Sequence, residues 1–392
     1  MQVVPPEWCR QAMAKSPPRG SFSTDANLSL TGASSPKTPA RTDPLADAQR
    51  GAWFDGTDMV TALREYDGAL ELELPREVQR ATMGASRSCD LSLPGRGLSA
   101  MHCLLERRGD RLRLLDQHST HGMYFQDRRV QDISIAPGDV FTLAPVTFIA
   151  MNDEMREHRP AIVDVIGSGF VPSPDKLLIE AARGSSNLIL TGEASCDQDR
   201  LARTIHAVSL RRRQDIVEIS ELPEDRVKQR AILDSAVRST LVVPIAAGQH
   251  PFDPTFCSMV CFPTYHVRVI VLAPSIDAAR DALSRDVVDQ MQHVWVRPLA
   301  LRSTEIDRLL DRVFVERRAT LRASNLTPAN LAALRAHGWP DNLTGLRRFA
   351  DQILAHAAHR GLRPAARSLG MSPSTLHSQL TRVGLSFPLF AG

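Results

Sequence analysis

The sequence predicts a multidomain chain that passes through three structural classes: an all-β sandwich, an α/β domain, and an all-α C-terminal part. Three observations predict it. Short alternating runs such as ALELEL and RLRLLD fill the stretch from Met59 to Asp153 with no helical period between them. From about Ala161, β runs alternate with amphipathic helical ones. Beyond Ser303 only the helical period remains.

A chain of 392 residues has room for two or three cores. Its 43% hydrophobic and 23% charged residues are ordinary for a globular protein. No stretch reaches the ~18–20 apolar residues of a membrane span. MQVVPPEWCRQAMAK lacks an apolar signal core, so a cytoplasmic protein without membrane contact is expected. Of the cysteines Cys9, Cys89, Cys103, Cys196, Cys257 and Cys261, only the last two are close in sequence. A zinc site needs a second pair or nearby histidines, so neither metal nor cofactor is expected. Residues 1–52, with SPPRGSFSTD and SSPKTPARTDP, have a disordered composition, and Thr38 before Pro39 is a candidate phosphorylation site.

The sandwich is assigned to residues 53–155, its strands ALELEL, RLRLLD and FTLAPVTFIAM punctuated by the turn signals PGRG, GD and PGD. The α/β domain is assigned to residues 160–300, with NLILTG and HVRVIVLA as buried strands and DQDRLARTIHAVS as a helix. Residues 301–343 read as a helical lid.

Residues 344–392 carry the clearest local logic. In GLRPAARSLGMSPSTLHSQLTRVGL, Pro364 opens a short helix whose Ala365 and Ala366 permit close approach of another. Gly370 suits a left-handed cap, and Ser372 with Pro373 starts the next helix. Leu376, Leu380 and Val383 share its inner face. Ser374, Thr375, His377, Ser378, Gln379 and Arg382 are left outside, as base-edge and phosphate contacts require. Arg363 and Arg367 on the preceding helix add phosphate contacts. Between residues 335 and 392 stand seven arginines and two aspartates, with no lysine or glutamate, a local excess that suits a phosphate backbone. The helix before it, LTGLRRFADQILAHAAHR, offers a core face and a dimer face. A dimer would set two recognition helices about 34 Å apart on a palindromic site.

This segment resembles the Fis-type helix-turn-helix that closes bacterial sigma-54 activators, with the pattern "AARLLGISRSTLYRKLKRLGL". The resemblance implies double-stranded DNA as a partner and a homo-oligomeric state. It extends upstream, where NLILTGEASCDQDRLARTIHAVSLRR is similar to the first strand, phosphate loop and helix of the family's AAA+ domain. Where the family reads "GESGTGKE", Gly192 is kept, the interior glycines are Ser195 and Asp197, and the lysine is Gln198. A phosphate-cradling loop needs those glycines and that lysine. STLVVPIAA matches "GTLFLDEIxxL" with Pro244 and Ile245 in the acidic positions, which leaves nothing to hold magnesium or polarise water. No room remains for the "GAFTGA" loop that contacts sigma-54. In HGWPDNLTGL, similar to "WPGNVREL", Thr344 replaces the nucleotide-sensing arginine. The resemblance therefore implies a degenerate AAA+ domain, a pseudo-ATPase.

The sandwich resembles a forkhead-associated (FHA) domain. MGASRSCDLSLPGRGLSAMHCLL, LLDQHSTHGMYFQDRRV and PGDVFTLA match "GRSPDCDIVLPDPSVSRRHARI", "LEDLGSTNGTFVNG" and "GDVI.LG". Gly84, Ser99, His102, Ser119, Thr120, Gly122, Gly138 and Asp139 are in register. The family's phosphate-binding arginine is Ala85 here, and its peptide-holding asparagine is His121. Arg87 and Arg96 in adjacent loops are candidate substitutes beside Ser99 and Thr120, with His121 adding charge when protonated. These residues point to two function classes: a sequence-specific DNA-binding regulator that works without ATP, and a signalling adaptor whose sandwich docks a phosphothreonine-containing protein. A sandwich that docks protein without reading phosphate is the alternative to the second.

Overall fold

The structure is a computed structural model. It describes residues 59–390 apart from 110, 170–171, 185, 247, 250 and 262–265. The expected tail at residues 1–52, with Cys9 and Thr38, lies outside the described residues.

Strict alternation builds two facing sheets. One is ordered β2 (Glu71–Glu73), β1 (Ala62–Glu65), β11 (Val146–Met151), β10 (Val140–Leu143), β7 (Met123–Phe125), β8 (Arg128–Val130). The other is ordered β4 (Leu91–Ser92), β3 (Arg80–Gly84), β5 (Cys103–Arg108), β6 (Arg111–Asp116), β9 (Asp132–Ile135). In β6, Leu112 and Leu114 are buried while Arg113 between them faces away. Phe141 and Phe148 stack in the core with centroids 5.8 Å apart. The FTLAPVTFIAM run is two strands rather than one, because it folds back at Ala144–Pro145, where proline has no N–H for the ladder.

Helix α1 (Asp153–Ile166) continues directly from β11, since Asn152 Oδ1 accepts from Met155 N at 2.9 Å and Asp153 and Glu154 occupy its first turn. The boundary expected between residues 155 and 160 therefore falls inside a helix. Helix α2 (Pro174–Arg183) ties the sandwich to the α/β domain. Its buried Asp175 accepts from Arg159 Nε at 2.5 Å and from Asp67 N at 2.8 Å.

The third sheet, in the α/β domain, is wholly parallel, ordered β13 (Val217–Glu218), β14 (Thr240–Pro244), β15 (Arg268–Ala273), β12 (Leu188–Thr191), β16 (Gln292–Trp295). Its crossovers run through α3 (Gln198–Val208), α4 (Arg226–Ser235), α5 (Pro254–Cys261), and the pair α6 (Ile276–Leu283) and α7 (Arg285–Asp289). Leu188, Ile189 and Leu190 are fully buried, each worth about 1.5–3 kcal/mol, with cores on both faces of the sheet. β12 lies between β15 and β16, where the strand order reverses, so the loop at its carboxyl end occupies the usual ligand position of such sheets.

The all-α part comprises α8 (Ile306–Glu316), α9 (Pro328–Ala336), α10 (Asn342–His359), α11 (Leu362–Ser368) and α12 (Pro373–Arg382). Pro364 lies in the first turn of α11 rather than at its start, a position where its missing N–H is harmless. The C-terminal residues return to α9. Buried Asn330 donates to Ser386 O at 2.9 Å and accepts from Ser386 N at 2.8 Å, and Leu326 bridges Phe390. Among the described residues no helix is long and apolar enough to cross a membrane.

Candidate functional site

Three places bring the singled-out residues together. On the sandwich, the loops after β3, β4 and β6 are knitted by their own backbones. Ala85 N and Ser86 N donate to Ser99 O and Ala100 O at 2.9 and 3.0 Å. A Cβ on Gly84 would lie 2.4 Å from Ala100 O, so only glycine permits this approach. Thr120 N donates to Ser99 Oγ at 2.9 Å, and Ser99 Oγ donates to Thr120 Oγ1 at 3.4 Å, which pairs the two hydroxyls. Below them, buried His102 accepts from Ser99 N at Nδ1 and sits 3.3 Å from Gly122 O at Nε2. Burial holds its pKa below 6.5, so the neutral ring braces both loops. Ser119 Oγ donates to Asp116 at 2.5 Å and accepts from Gly122 N at 3.0 Å. Of the candidate substitutes, Arg96 is engaged with Glu65 at 2.6 Å, whereas Arg87 is exposed and has no ion pair among the described residues. His121 is exposed on the same loop as Thr120.

The loop between β12 and α3 is filled with its own side chains. Ser195 and Asp197 stand in left-handed conformations, φ +63° and +60°, at the two positions where the family pattern has glycine. Such backbone costs an ordinary residue about 1–2 kcal/mol. A Cβ on Gly192 would lie 2.7 Å from Val296 O. Gln198 Nε2 donates to Leu190 O and Ala273 O at 3.0 Å and to Gly192 O at 3.5 Å, which pins the loop to the sheet. Asp197 is 8% exposed and does not cap α3. Its carboxylate accepts from Arg347 on α10 and from Thr344 Oγ1 at 3.5 Å, with Arg200 at 3.8 Å. Thr344, which the sequence comparison set against the sensing arginine, thus touches the loop. The guanidinium comes from Arg347, about one turn further along the same helix. Asn342 Nδ2 adds a bond to Ala194 O at 3.1 Å. At the end of β14, Ile245 is buried and Pro244 half-buried, so no carboxylate stands there. Among the described residues no group of three or more His, Cys, Asp or Glu side chains could hold a metal ion.

At the C-terminus, Gly370 has φ +68° and Ser372 Oγ accepts from Thr375 N at 3.1 Å, which caps α12. Leu376 and Leu380 are buried. Ser374, Thr375, His377, Ser378 and Arg382 are exposed, as are Ser372, Arg363 and Arg367. Gln379 departs from expectation. It lies three residues from Leu376, hence on the inner side, and accepts from Gln352 of α10. The His377 ring is stacked on Phe387, centroids 5.5 Å apart and planes 10° apart.

The structure also divides the basic excess. Arg335, Arg347 and Arg348 pair with Asp307, Asp197 and Asp341. Arg360, Arg363, Arg367 and Arg382 have no ion pair among the described residues, and no acidic residue occurs after Asp351 in the sequence. The dimer face expected on α10 has no exposed large hydrophobic side chain behind it among the described residues. Among the described residues after α10 only Phe387 is of that kind.

The FHA domain family model matches residues 81–144. NtrX from Brucella abortus in complex with ATP is similar in fold at 18% identity, over 60% of this chain and 68% of that one, with a TM-score of 0.35. The FhaA FHA domain, solved with the intracellular domain of another protein, is 27% identical over 22% of this chain and 96% of that one, with a TM-score of 0.21. An FHA domain of a Chlamydia trachomatis protein is 17% identical over 23% and 95%, with a TM-score of 0.22. No curated protein matches the chain.

Proposed function

We propose that this protein is a sequence-specific DNA-binding regulator that acts without hydrolysing ATP, reading DNA through α12. The observation that carries the reading is the charge at the C-terminus. Four arginines without an ion pair among the described residues, Arg360, Arg363, Arg367 and Arg382, lie on or near a capped helix whose outer face is Ser374, Thr375, His377, Ser378 and Arg382, in a stretch free of acidic residues. Small polar side chains at a helix N-terminus reach base edges in the major groove, and the flanking arginines neutralise phosphates.

The absence of ATP chemistry is supported by the loop after β12. There Asp197 puts a buried negative charge where phosphate oxygens would approach, and Arg347 already neutralises it. Gln198 binds carbonyls instead of phosphate. A nucleotide would have to displace this network and meet like charge. Footprinting on DNA with random-sequence competitor, alongside an ATPase assay, tests the proposal. A protected site that ignores ATP is expected, with no turnover. Purely nonspecific retention, or turnover abolished by a change at Gln198, would contradict it.

A second reading is favoured by the FHA match: the sandwich docks a phosphothreonine-containing protein and passes that signal to the DNA-binding end. The paired hydroxyls of Ser99 and Thr120, braced by His102, support it. Loss of phosphopeptide binding on Ser99→Ala is the expected result.

A further inference from the structure

Ala85 removes the arginine that the FHA resemblance leads one to expect, and Arg96 is occupied by Glu65. The face around Ser99 is nevertheless not short of positive charge. Gly122, at the end of the turn that carries Thr120 and His121, has φ +80°. A Cβ placed there would lie 2.5 Å from Arg129 Nε and 3.1 Å from Arg129 Cζ and Nη2. The Arg129 side chain therefore lies against the backbone of that turn. The glycine serves twice, for its conformation and for the room it leaves. Arg129 stands on β8 opposite Tyr124 of β7, so the strand pairing fixes its starting point.

The turn beneath it is bonded to Ser99 through Thr120 N, which puts guanidinium and both hydroxyls on one loop cluster. Arg129 is exposed, and its side chain has neither hydrogen bond nor ion pair among the described residues. Asp116, at the start of this turn, is engaged with Ser119, and Asp90 of the loop after β3 is engaged with Thr82. Two hydroxyls, an unengaged guanidinium and no unengaged carboxylate among these are what a phosphate monoester requires.

We propose that Arg129 replaces the missing arginine, so that this face binds a phosphothreonine-bearing peptide through a cation supplied by β8 rather than by the loop after β3. This rests on the docking reading above. The test is binding of the full chain to a phosphothreonine peptide library and to its unphosphorylated counterpart, read by fluorescence anisotropy. Wild type prefers the phosphorylated pool. Arg129→Ala loses about tenfold of that preference or more, the worth of one charge-assisted bond. Arg129→Lys keeps part of it, and adding Ala85→Arg to Arg129→Ala restores it. Because Arg129 is exposed, unchanged thermal melting of each variant confirms that folding is intact. Preference intact in Arg129→Ala but lost in Ser99→Ala overturns the role of Arg129 and leaves the docking reading standing. No phosphate preference in wild type overturns the docking reading itself.

Discussion

At Asp197 a carboxylate occupies a left-handed backbone position, where the AAA+ pattern that the sequence resembles has glycine, and Arg347 answers its charge. The loss of glycine and lysine is legible in the residues themselves. The arrival of Arg347 is not, because aligning the motif assigns the sensor place to Thr344 and says nothing of a side chain one turn on. Arg347→Ala strands a buried carboxylate and should destabilise the fold by about 3 kcal/mol, near the range for broken buried pairs. Denaturant unfolding checks this, and Asp197→Asn in the same chain should recover part of the loss. Histidines carry a second residue-scale consequence. His206, between Thr240 Oγ1 and Gln214 O, and His102 are both held below 6.5 by burial. As pH falls through 6.5 the unfolded chain takes up protons that the folded one refuses, so stability decreases. Thermal melting temperatures should drop between pH 7 and pH 5, less so in His206→Gln. A rise would contradict the neutral assignments.

Helix α10 is the element that connects the pieces. Arg347 on it reaches the loop after β12, and Gln352 on it reaches Gln379 of α12. Its helical period is plain in the sequence, as is the capping of α12 by Ser372. Ser372→Ala should cost about 1 kcal/mol of stability, measured by thermal unfolding. The inward turn of Gln379 escapes a reading that counts polar side chains as outward by type, although its three-residue spacing from Leu376 places it inside. Arg382→Ala should weaken DNA binding across all sequences and lower the salt slope by about 1, whereas Gln379→Ala should disturb packing on α10 instead. Titration of binding against salt separates the two. Strand boundaries show the same limit of pattern reading. RLRLLD is β6 residue for residue, but ALELEL shrinks to Glu71–Glu73, because the extent of a strand is set by its partner β1.

On the scale of the whole molecule, the succession of β-rich, mixed and helical parts is legible from periodicity alone, since each class writes a different spacing of apolar residues. What joins the parts is not. Asp175 with Arg159 and Asp67, and Asn330 with Ser386, are polar contacts between residues distant in sequence, and no local pattern announces them. The first set holds α2 against α1 and the sandwich, and the second holds the C-terminal residues against α9; the proposed regulator would need no nucleotide to present α12. Selection of binding sites from random-sequence DNA by the intact protein, with and without ATP, tests this central claim most directly. One enriched motif, the same under both conditions, is the predicted result. No enrichment above random, or enrichment only with ATP present, would contradict it.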